Sequence, residues 1–588
     1  MARGRPSRVV LACLLATCGL VPAGIPLARA AGSLATGDRF TLSIVGTTDL
    51  HGFVFPRGDR DGLAILGGYV RNLREARRAD GGAVLLLDAG DTYQGGIESN
   101  LSEGAVVVDA YNAMGYAAAA IGNHEFDFGA ADGPGARESF GTDPRGAIKA
   151  IAARAVFSVL AANLIDDETG RPVEWPNVRR STIVDTSGVR VGIVGVMTIN
   201  AMRATLPVNV RGLHVAPVAP AIATEAKALR EAGATVVLVT AHAGGSCAQF
   251  DDPSDLMTCD QGSEIFEVAR SLPPGLVDAI IAGHTHDGLA HEVNGIPIIE
   301  GYALGRAFAR LDLTVDRATA SVVDHRLFAP QDLCARQDPV TLGCTASDGR
   351  TLPPARYEGR EVQPDPEVNA AMALALARVR RLQATPLGVT LDTAISRAGD
   401  LESALGNLFA DAIRESVPGT DVAINNNSRG GLRTDLPAGP LMFGRLYDVF
   451  SFDNRLARLT ISGRDLRRLF ADEIRRGRRG ALGISGIHVR ARCGDVGLQV
   501  EIVRQSGRAV TDDDRLTVVT MDSLAGGPVF GPIARFARAE VALAAPVVRE
   551  VVEDWLRRRT EPLRADQFLD PERPRWVNPS ALSPACAS

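Results

Sequence analysis

Nine side chains in this 588-residue sequence have the types and spacing to do chemistry: Asp49, His51, Asp91, Asn123, His124, Asp127, His242, His284 and His286. They occupy five short polar motifs: Thr-Asp-Leu-His-Gly at 48–52, Gly-Asp-Thr at 90–92, Gly-Asn-His-Glu-Phe-Asp at 122–127, Ala-His-Ala at 241–243 and Gly-His-Thr-His at 283–286. Asp49 and His51, at i and i+2 on an emerging strand or loop, can face one ion, and His286 can return to it. Asp91 has two oxygens and can bridge two ions. Asn123 offers a carbonyl oxygen, and His242 and His284 offer imidazole nitrogens. Such mixed nitrogen and oxygen donors suit Zn, Mn, Fe or Co better than Mg or Ca. Two divalent ions about 3.5–4 Å apart would acidify a shared water and clamp both ends of an in-line displacement. Five of the nine histidines in the chain lie in these motifs.

Each motif alone has an ordinary structural use. Asp-x-His can be a loop with a capping acid, Gly-Asp a turn, and Asn-His-Glu a helix start in which Glu125 serves the first turn. What sets them apart is their position. Each follows an apolar, often β-branched run, at 42–45, 83–87, 117–121, 236–239 and 277–281, of the kind that forms a buried parallel strand. In an open α/β sheet, ligands gather beyond the carboxyl ends of the strands, so five strand ends are expected to bring these side chains to a common edge. Helix-like segments at 66–78 and 219–232 alternate with the strands up to about residue 316, which argues for a layered α/β domain with helices over the sheet faces.

The length calls for two or more domains, and 46% hydrophobic with 22% charged residues fits a globular chain. Residues 1–30 carry Arg3, Arg5, Arg8 and Arg29 and no acid, so removing them takes the formal charge from −6 to −10. An acidic body is poorly equipped to neutralise nucleic-acid phosphates, and no nucleic-acid polymer is expected as partner. The three leading arginines, the apolar run 9–21 and Ala28-Arg29-Ala30 form the pattern of a cleaved export signal over residues 1–30. That run is shorter than the roughly 20 residues of a membrane-spanning helix. Thr17 is an unusual neighbour for a lipid-modified Cys18, so anchoring there is disfavoured. The chain is expected to be exported, periplasmic or extracellular. Six cysteines remain beyond the signal, and closeness in sequence favours the pairs Cys247–Cys259 and Cys334–Cys344, leaving Cys493 and Cys586 undecided.

The α/β alternation is expected to occupy residues 38–330. Its pattern dissolves from about 317, and residues 331–385 read as a connector. The connector ends in a helix over 368–382 that starts at Asp365-Pro366-Glu367, with an acid at the cap and proline in the first turn. A smaller α+β unit is expected over 386–580, with helices near 407–415 and 465–475 and strands at 421–424, 457–461 and 516–519. The proline-containing tail after Leu563 is expected to wrap the surface.

In order and spacing the five motifs resemble those of the secreted 5′-nucleotidase family, which has a calcineurin-like metallophosphoesterase domain followed by a 5′-nucleotidase C-terminal domain. The resemblance spans about residues 38–580. It implies that Asp49, His51, Asp91 and His286 hold one divalent ion and Asp91, Asn123, His242 and His284 the other. It also implies a catalytic pair in which Asp127 orients His124 and favours its cationic form, so that His124 steadies the phosphoryl charge of the transition state. In the second domain, Asn-Asn-Ser-Arg-Gly-Gly-Leu-Arg at 426–433 resembles the family's substrate loop. Asn427, Arg429, Arg433 and the aromatic Phe452 are the implied substrate contacts. Ser523 stands where relatives carry a second stacking ring, and Pro528 where they carry an Asp. One face of a base would then be unstacked, a loss of about 1–3 kcal/mol. The expected activity is hydrolysis of nucleotide phosphate esters by attack of activated water on phosphorus. The alternatives keep the metal centre but change the substrate to a cyclic nucleotide, a nucleotide sugar or a sulfur compound, or reduce the chain to a binding protein.

Overall fold

The apolar runs of the N-terminal half build two sheets rather than one. The computed structural model describes residues 39–56, 61–131, 143–203, 205, 209–319, 321–346, 348–428, 431–477, 480–494, 497–527, 529–530, 546–579 and 586. The export signal expected at 1–30, with Cys18, lies outside them, as do Arg429 and Pro528.

The two main sheets of the first lobe are made of β1 (Arg39–Thr47), β2 (Ala83–Asp88), β3 (Ala118–Ala120), β4 (Ser158–Leu160), β5 (Val178–Arg179), β6 (Ser181–Thr186), β7 (Val189–Met197), β8 (Val236–His242), β9 (Ala279–Ile281), β10 (Gly288–Val293), β11 (Ile296–Gly301), β12 (Ala307–Asp316) and β13 (Ser321–Asp332). One sheet has the order β13-β12-β1-β2-β3-β4-β5, the other β10-β11-β9-β8-β7-β6. The motif-bearing strands are parallel within each sheet, with Thr47 opposite Asp88 and Asp88 opposite Ala119 in the first, and Thr240 opposite Ile281 in the second.

Alternation along each strand assigns its two faces. Leu42, Ile44, Leu85 and Leu87 meet Val236, Leu238, Ala279 and Ile281 in a core between the sheets. Val45 and Leu86 turn outward to α1 (Leu63–Ala79) and α3 (Ala105–Met114). On the other side, Val237 and Val239 turn to α4 (Val218–Glu231). Helices therefore cover only the outer faces, and the site expected at the edge of one sheet forms where two sheet edges meet. A strand apolar on both faces reads alike in sequence whether a helix or a second sheet covers it.

Two further expectations are corrected. The pattern does not end at 317, because β13 pairs with β12 along Ser321–Asp332 as a half-exposed strand whose charges mask its alternation. The tail does not wrap the surface. Trp576 is buried against Phe470, β20 (Trp576–Val577) pairs with β17 (Ile487–Gly494), and Arg575 lies on Asp411 at 2.7 Å. Cys493 and Cys586 are bonded, as are Cys247–Cys259 and Cys334–Cys344.

Helix α5 (Pro366–Gln383) starts as its sequence signals, with the Asp365 carboxylate accepting from the Glu367 and Val368 N–H groups. Its Val368 and Met372 pack into the first lobe. Beyond it a second core forms around α6 (Ala404–Ser416), α7 (Phe443–Val449), α8 (Gly463–Arg475) and a sheet of order β15-β19-β14-β16, made of β14 (Val422–Asn426), β15 (Leu456–Ser462), β16 (Leu482–Ser485) and β19 (Arg515–Met521). A three-stranded ribbon of β18 (Gly497–Arg504), β17 and β20 completes it. Among the described residues no helix is long and apolar enough to cross a membrane.

Candidate metal centre

The loops leaving β1, β2, β3, β8 and β9 are held against one another by their backbones before any side chain is considered. Asp49 N–H donates to Gly90 O and His51 N–H to Asp91 O, both at 2.9 Å. Gly90 sits at φ 92°, and a β-carbon there would lie 2.8 Å from the Gly122 nitrogen; one on Gly122 would lie 2.2 Å from Asp91 Oδ1. The glycines of Gly-Asp and Gly-Asn-His thus let two loops touch. Asp49, His51, Asp91, His284 and His286 all have positive φ, between 49° and 80°. Conformations of this kind cost side-chain-bearing residues about 1–3 kcal/mol each and cluster at functional sites.

The seven candidate ligands meet. His51 Nε2 lies 3.0 Å from His286 Nε2, which lies 3.3 Å from Asp49 Oδ1. His242 Nε2 lies 3.1 Å from His284 Nδ1, 3.1 Å from Asn123 Oδ1 and 3.2 Å from Asp91 Oδ2. Asp91 belongs with His51 on one side and with His242 and His284 on the other, so its carboxylate stands between the two groups. Four donors around one ion at 2.0–2.1 Å would be about 3.3 Å apart, close to these spacings.

Protonation argues the same way. His51 Nδ1 faces the Gln94 carbonyl at 3.0 Å and His242 Nδ1 the Ala89 carbonyl at 2.9 Å. A carbonyl only accepts, so each Nδ1 carries the hydrogen and each neutral ring presents a bare Nε2 to the centre. Burial, reinforced by the charge of His124, lowers His51 to about 4. For His242, burial favours the neutral ring, but the Asp91 carboxylate outweighs it and raises the ring to about 9. A divalent cation would take the place of that proton, as ligand sets do when they load. Asp49 Oδ1, fully buried, has no hydrogen-bond partner among the described residues. Once that proton is displaced, the imidazole nitrogens and carboxylate oxygens of this space offer lone pairs that fit a pair of cations.

His124 stands at the rim of this centre, its ring 4.9 Å from that of His51 and its side chain a quarter exposed. Its Nδ1 donates to Asp127 Oδ2 at 2.6 Å, and its backbone N–H to Asp91 Oδ1 at 2.8 Å. Burial opposes its charge, yet Asp127 and Asp91 prevail and carry it up to about 10. These carboxylates favour its charged form, and one of its nitrogens is committed to Asp127.

Two buried carboxyl groups went unrecognised in the sequence. Glu125 accepts from the N–H groups of Asp91 (2.9 Å), Thr92 (2.6 Å) and Gly122 (2.6 Å), so it ties the two glycine loops together instead of capping a helix. Glu300, fully buried, accepts from Thr285 Oγ1 at 2.6 Å and Gly245 N–H at 3.3 Å, behind the Gly-His-Thr-His loop. Glu125 had a sequence signal in its motif; Glu300, at the end of a strand, had none. Glu125→Gln, which turns one acceptor into a donor against backbone N–H groups, is expected to weaken divalent-metal affinity by about 10–100-fold, read by competition with a chromophoric chelator. Unchanged affinity would make Glu125 a packing residue only.

In the second lobe, Arg433 lies over the Phe452 ring, with its guanidinium carbon 4.3 Å from the ring centre. A cavity of about 520 Å³ opens between the lobes, lined by Phe53, Gly95 and Ile97 on one side and Arg433, Asp448 and Ser451 on the other. Phe452 is only partly buried, and its ring also meets Phe450 edge-on. Asn427 is 4% exposed; its amide is wedged against Gly406, and its Nδ2 has no partner among the described residues. It sits inside the lobe, while its neighbour Ser428 is exposed. Arg397 is half-buried beside this loop and reaches the Leu432 carbonyl at 3.5 Å. Ser523 is exposed on the short helix Asp522–Gly526.

Residues 42–288 match the model of the calcineurin-like phosphoesterase family, and residues 383–532 that of the 5′-nucleotidase C-terminal domain. Among similar proteins, an endonuclease of Bacillus subtilis, YhcR, is 25% identical over 75% of this chain, which spans only 33% of its length. A 5′-nucleotidase of Diplobatis ommata is 26% identical over 78% of this chain and 76% of its own. The fold is similar to that of a putative 5′-nucleotidase of Staphylococcus aureus, with a TM-score of 0.64 at 15% identity over 92% of this chain and 99% of that one. Taken with the loops that converge on one buried lone-pair cluster, the two matched domains place this chain in the 5′-nucleotidase family of metal-dependent phosphoester hydrolases, whose calcineurin-like phosphoesterase domain precedes a 5′-nucleotidase C-terminal domain.

Proposed function

We propose that this chain is an exported hydrolase of nucleotide phosphate esters, working with two divalent ions. The observation that carries the reading is the buried meeting of bare imidazole nitrogens and carboxylate oxygens next to the His124–Asp127 pair. Asp49, His51, Asp91 and His286 would hold one ion; Asp91, Asn123, His242 and His284 the other. When bound, a pair of such ions supplies Lewis-acid charge and activates water at neutral pH. Zn, Mn and Co all suit these donors. The carbonyls of Gln94 and Ala89 keep His51 and His242 in the tautomer that presents Nε2. His124, charged and steered by Asp127, neutralises the negative charge that builds on the phosphoryl oxygens and stands ready to donate a proton to the departing oxygen. Arg433 offers the planar fork suited to an anionic substrate, and Phe452 offers a ring on which a base can stack. Export agrees with three disulfides, which persist in oxidising compartments.

Turnover of AMP, ADP, UDP-glucose, cyclic 2′,3′-AMP and p-nitrophenyl phosphate, each with Mn, Co and Zn, tests the reading. AMP or ADP is expected to lead. Preference for a substrate without a base would follow from the absent second ring at Ser523 and would replace the nucleotide reading. Arg433→Ala is expected to raise KM for the nucleotide about 10–100-fold, the worth of a lost charge-assisted hydrogen bond, with p-nitrophenyl phosphate far less affected. Equal effects on both would remove Arg433 from nucleotide recognition.

A further inference from the structure

The two lobes meet at a buried asparagine that also holds the turn beside His51. Asn100 closes the short helix α2 (Ile97–Asn100) and is 8% exposed. Its Oδ1 accepts from the Gly95 N–H at 2.8 Å, and its Nδ2 donates to the Ser451 carbonyl of the second lobe at 3.0 Å. One partner is a pure donor and the other a pure acceptor, so the orientation of the amide is determined and neither end can be exchanged. Gly95 in turn leans on His51. A β-carbon on Gly95, at φ 144°, would lie 2.6 Å from the His51 carbonyl oxygen, and the Gly96 N–H donates to that same oxygen at 2.7 Å. The preceding residue, Gln94, supplies the carbonyl that orients the His51 ring. On the far side, Ser451 precedes Phe452, the ring beneath Arg433.

We infer that Asn100 is a positioning residue that couples the seating of the substrate lobe to the orientation of His51. The path is short: Phe452 and Ser451, the Asn100 amide, Gly95 with Gln94, then the His51 imidazole. When the second lobe seats against α2, the Ser451 carbonyl holds the Asn100 amide. The amide holds the 94–96 turn, and the turn holds the ring whose Nε2 faces the centre. Displacing a reacting group by about 1 Å can cost about 100-fold in rate, so a single amide at this point can make turnover depend on lobe contact.

The inference rests on the two-metal reading, and its test separates the two halves of the amide. Asn100→Asp keeps the acceptor for Gly95 and loses the donor to Ser451; Asn100→Ala loses both. The cobalt-loaded full chain is used throughout, with visible absorption of bound Co(II) as a readout of ligand geometry and with AMP and p-nitrophenyl phosphate as substrates. Asn100→Asp is expected to shift the Co(II) spectrum in the direction of Asn100→Ala and to lower kcat for AMP about tenfold, the worth of one buried hydrogen bond left unmade, with the aryl phosphate less affected. Asn100→Ala is expected to change the spectrum and to slow both substrates. A wild-type Co(II) spectrum in either variant, or equal losses on both substrates in Asn100→Asp, overturns the coupling. Should the wild-type protein cleave the aryl phosphate but no nucleotide, the nucleotide reading falls, and the spectrum of Asn100→Ala still decides the role of Asn100.

Discussion

His124→Ala is expected to lower turnover by about 10²–10⁴-fold, the usual worth of a positioned proton donor, while the protein keeps its full complement of metal. Two features make the expectation specific. His124 is not enclosed by the candidate ligands: a quarter of its side chain is open, and its Nδ1 is committed to Asp127 at 2.6 Å. Its backbone N–H, which bonds Asp91 Oδ1 at 2.8 Å, survives the substitution, so Asp91 keeps that support. Asp127→Asn retains an acceptor oxygen but removes the charge that raises the imidazole, and an intermediate loss of about tenfold is expected. Measurement of kcat for p-nitrophenyl phosphate beside metal content by mass spectrometry checks both. A His124→Ala enzyme with near-normal kcat would exclude the pair from the chemistry, and one that has lost its metal would show that His124 is a ligand instead.

Asp91→Asn is expected to reduce bound metal from two ions per chain to one or none, and activity by at least about 100-fold, beyond the range typical of groups that only support a ligand. Asp91 is buried between the two donor groups and is the residue common to both, lying with His51 and His124 on one side and with His242 and His284 on the other. An amide in its place offers one weak oxygen and removes the charge that offsets two cations. Its backbone bonds, to His51 N–H and from Asp91 N–H to Glu125, remain. The fold should therefore hold, which circular dichroism and thermal unfolding would verify. Removal of metal from the wild-type protein by a chelator is expected to abolish turnover, with recovery on adding Zn, Mn or Co. Two ions still bound to Asp91→Asn would rule out a bridging carboxylate at this position.

The legibility of the chain in its sequence varied with the range of the interaction. Helix α5 was readable because its signal is local: Asp365, Pro366 and Glu367 act within one turn, and the carboxylate does accept from the first N–H groups. The pairs Cys247–Cys259 and Cys334–Cys344 were readable because 12 and 10 residues separate their cysteines, whereas Cys493 and Cys586 are 93 apart and meet only when the tail enters the second lobe. Arg575 and Trp576 explain why it enters: a buried ion pair with Asp411 and an indole against Phe470, neither visible from local composition. Glu125 was readable only as a first-turn acid, because its three N–H partners belong to loops 33 or 34 residues upstream and to Gly122.

The sequence by itself determined which residues form the candidate centre. Side chains of the right types follow apolar runs that must become buried strands, and a parallel strand delivers whatever follows it to its carboxyl edge. Tertiary structure alone decided that this edge belongs to two sheets facing each other, and that His51 and His242 present Nε2 because backbone carbonyls hold their Nδ1 hydrogens. It also decided that Asn100 bonds Gly95 on one side and Ser451 of the second lobe on the other. The reason is physical: burial of apolar side chains is non-directional and leaves the same mark whatever covers them, whereas a hydrogen bond depends on where two distant groups finally stand.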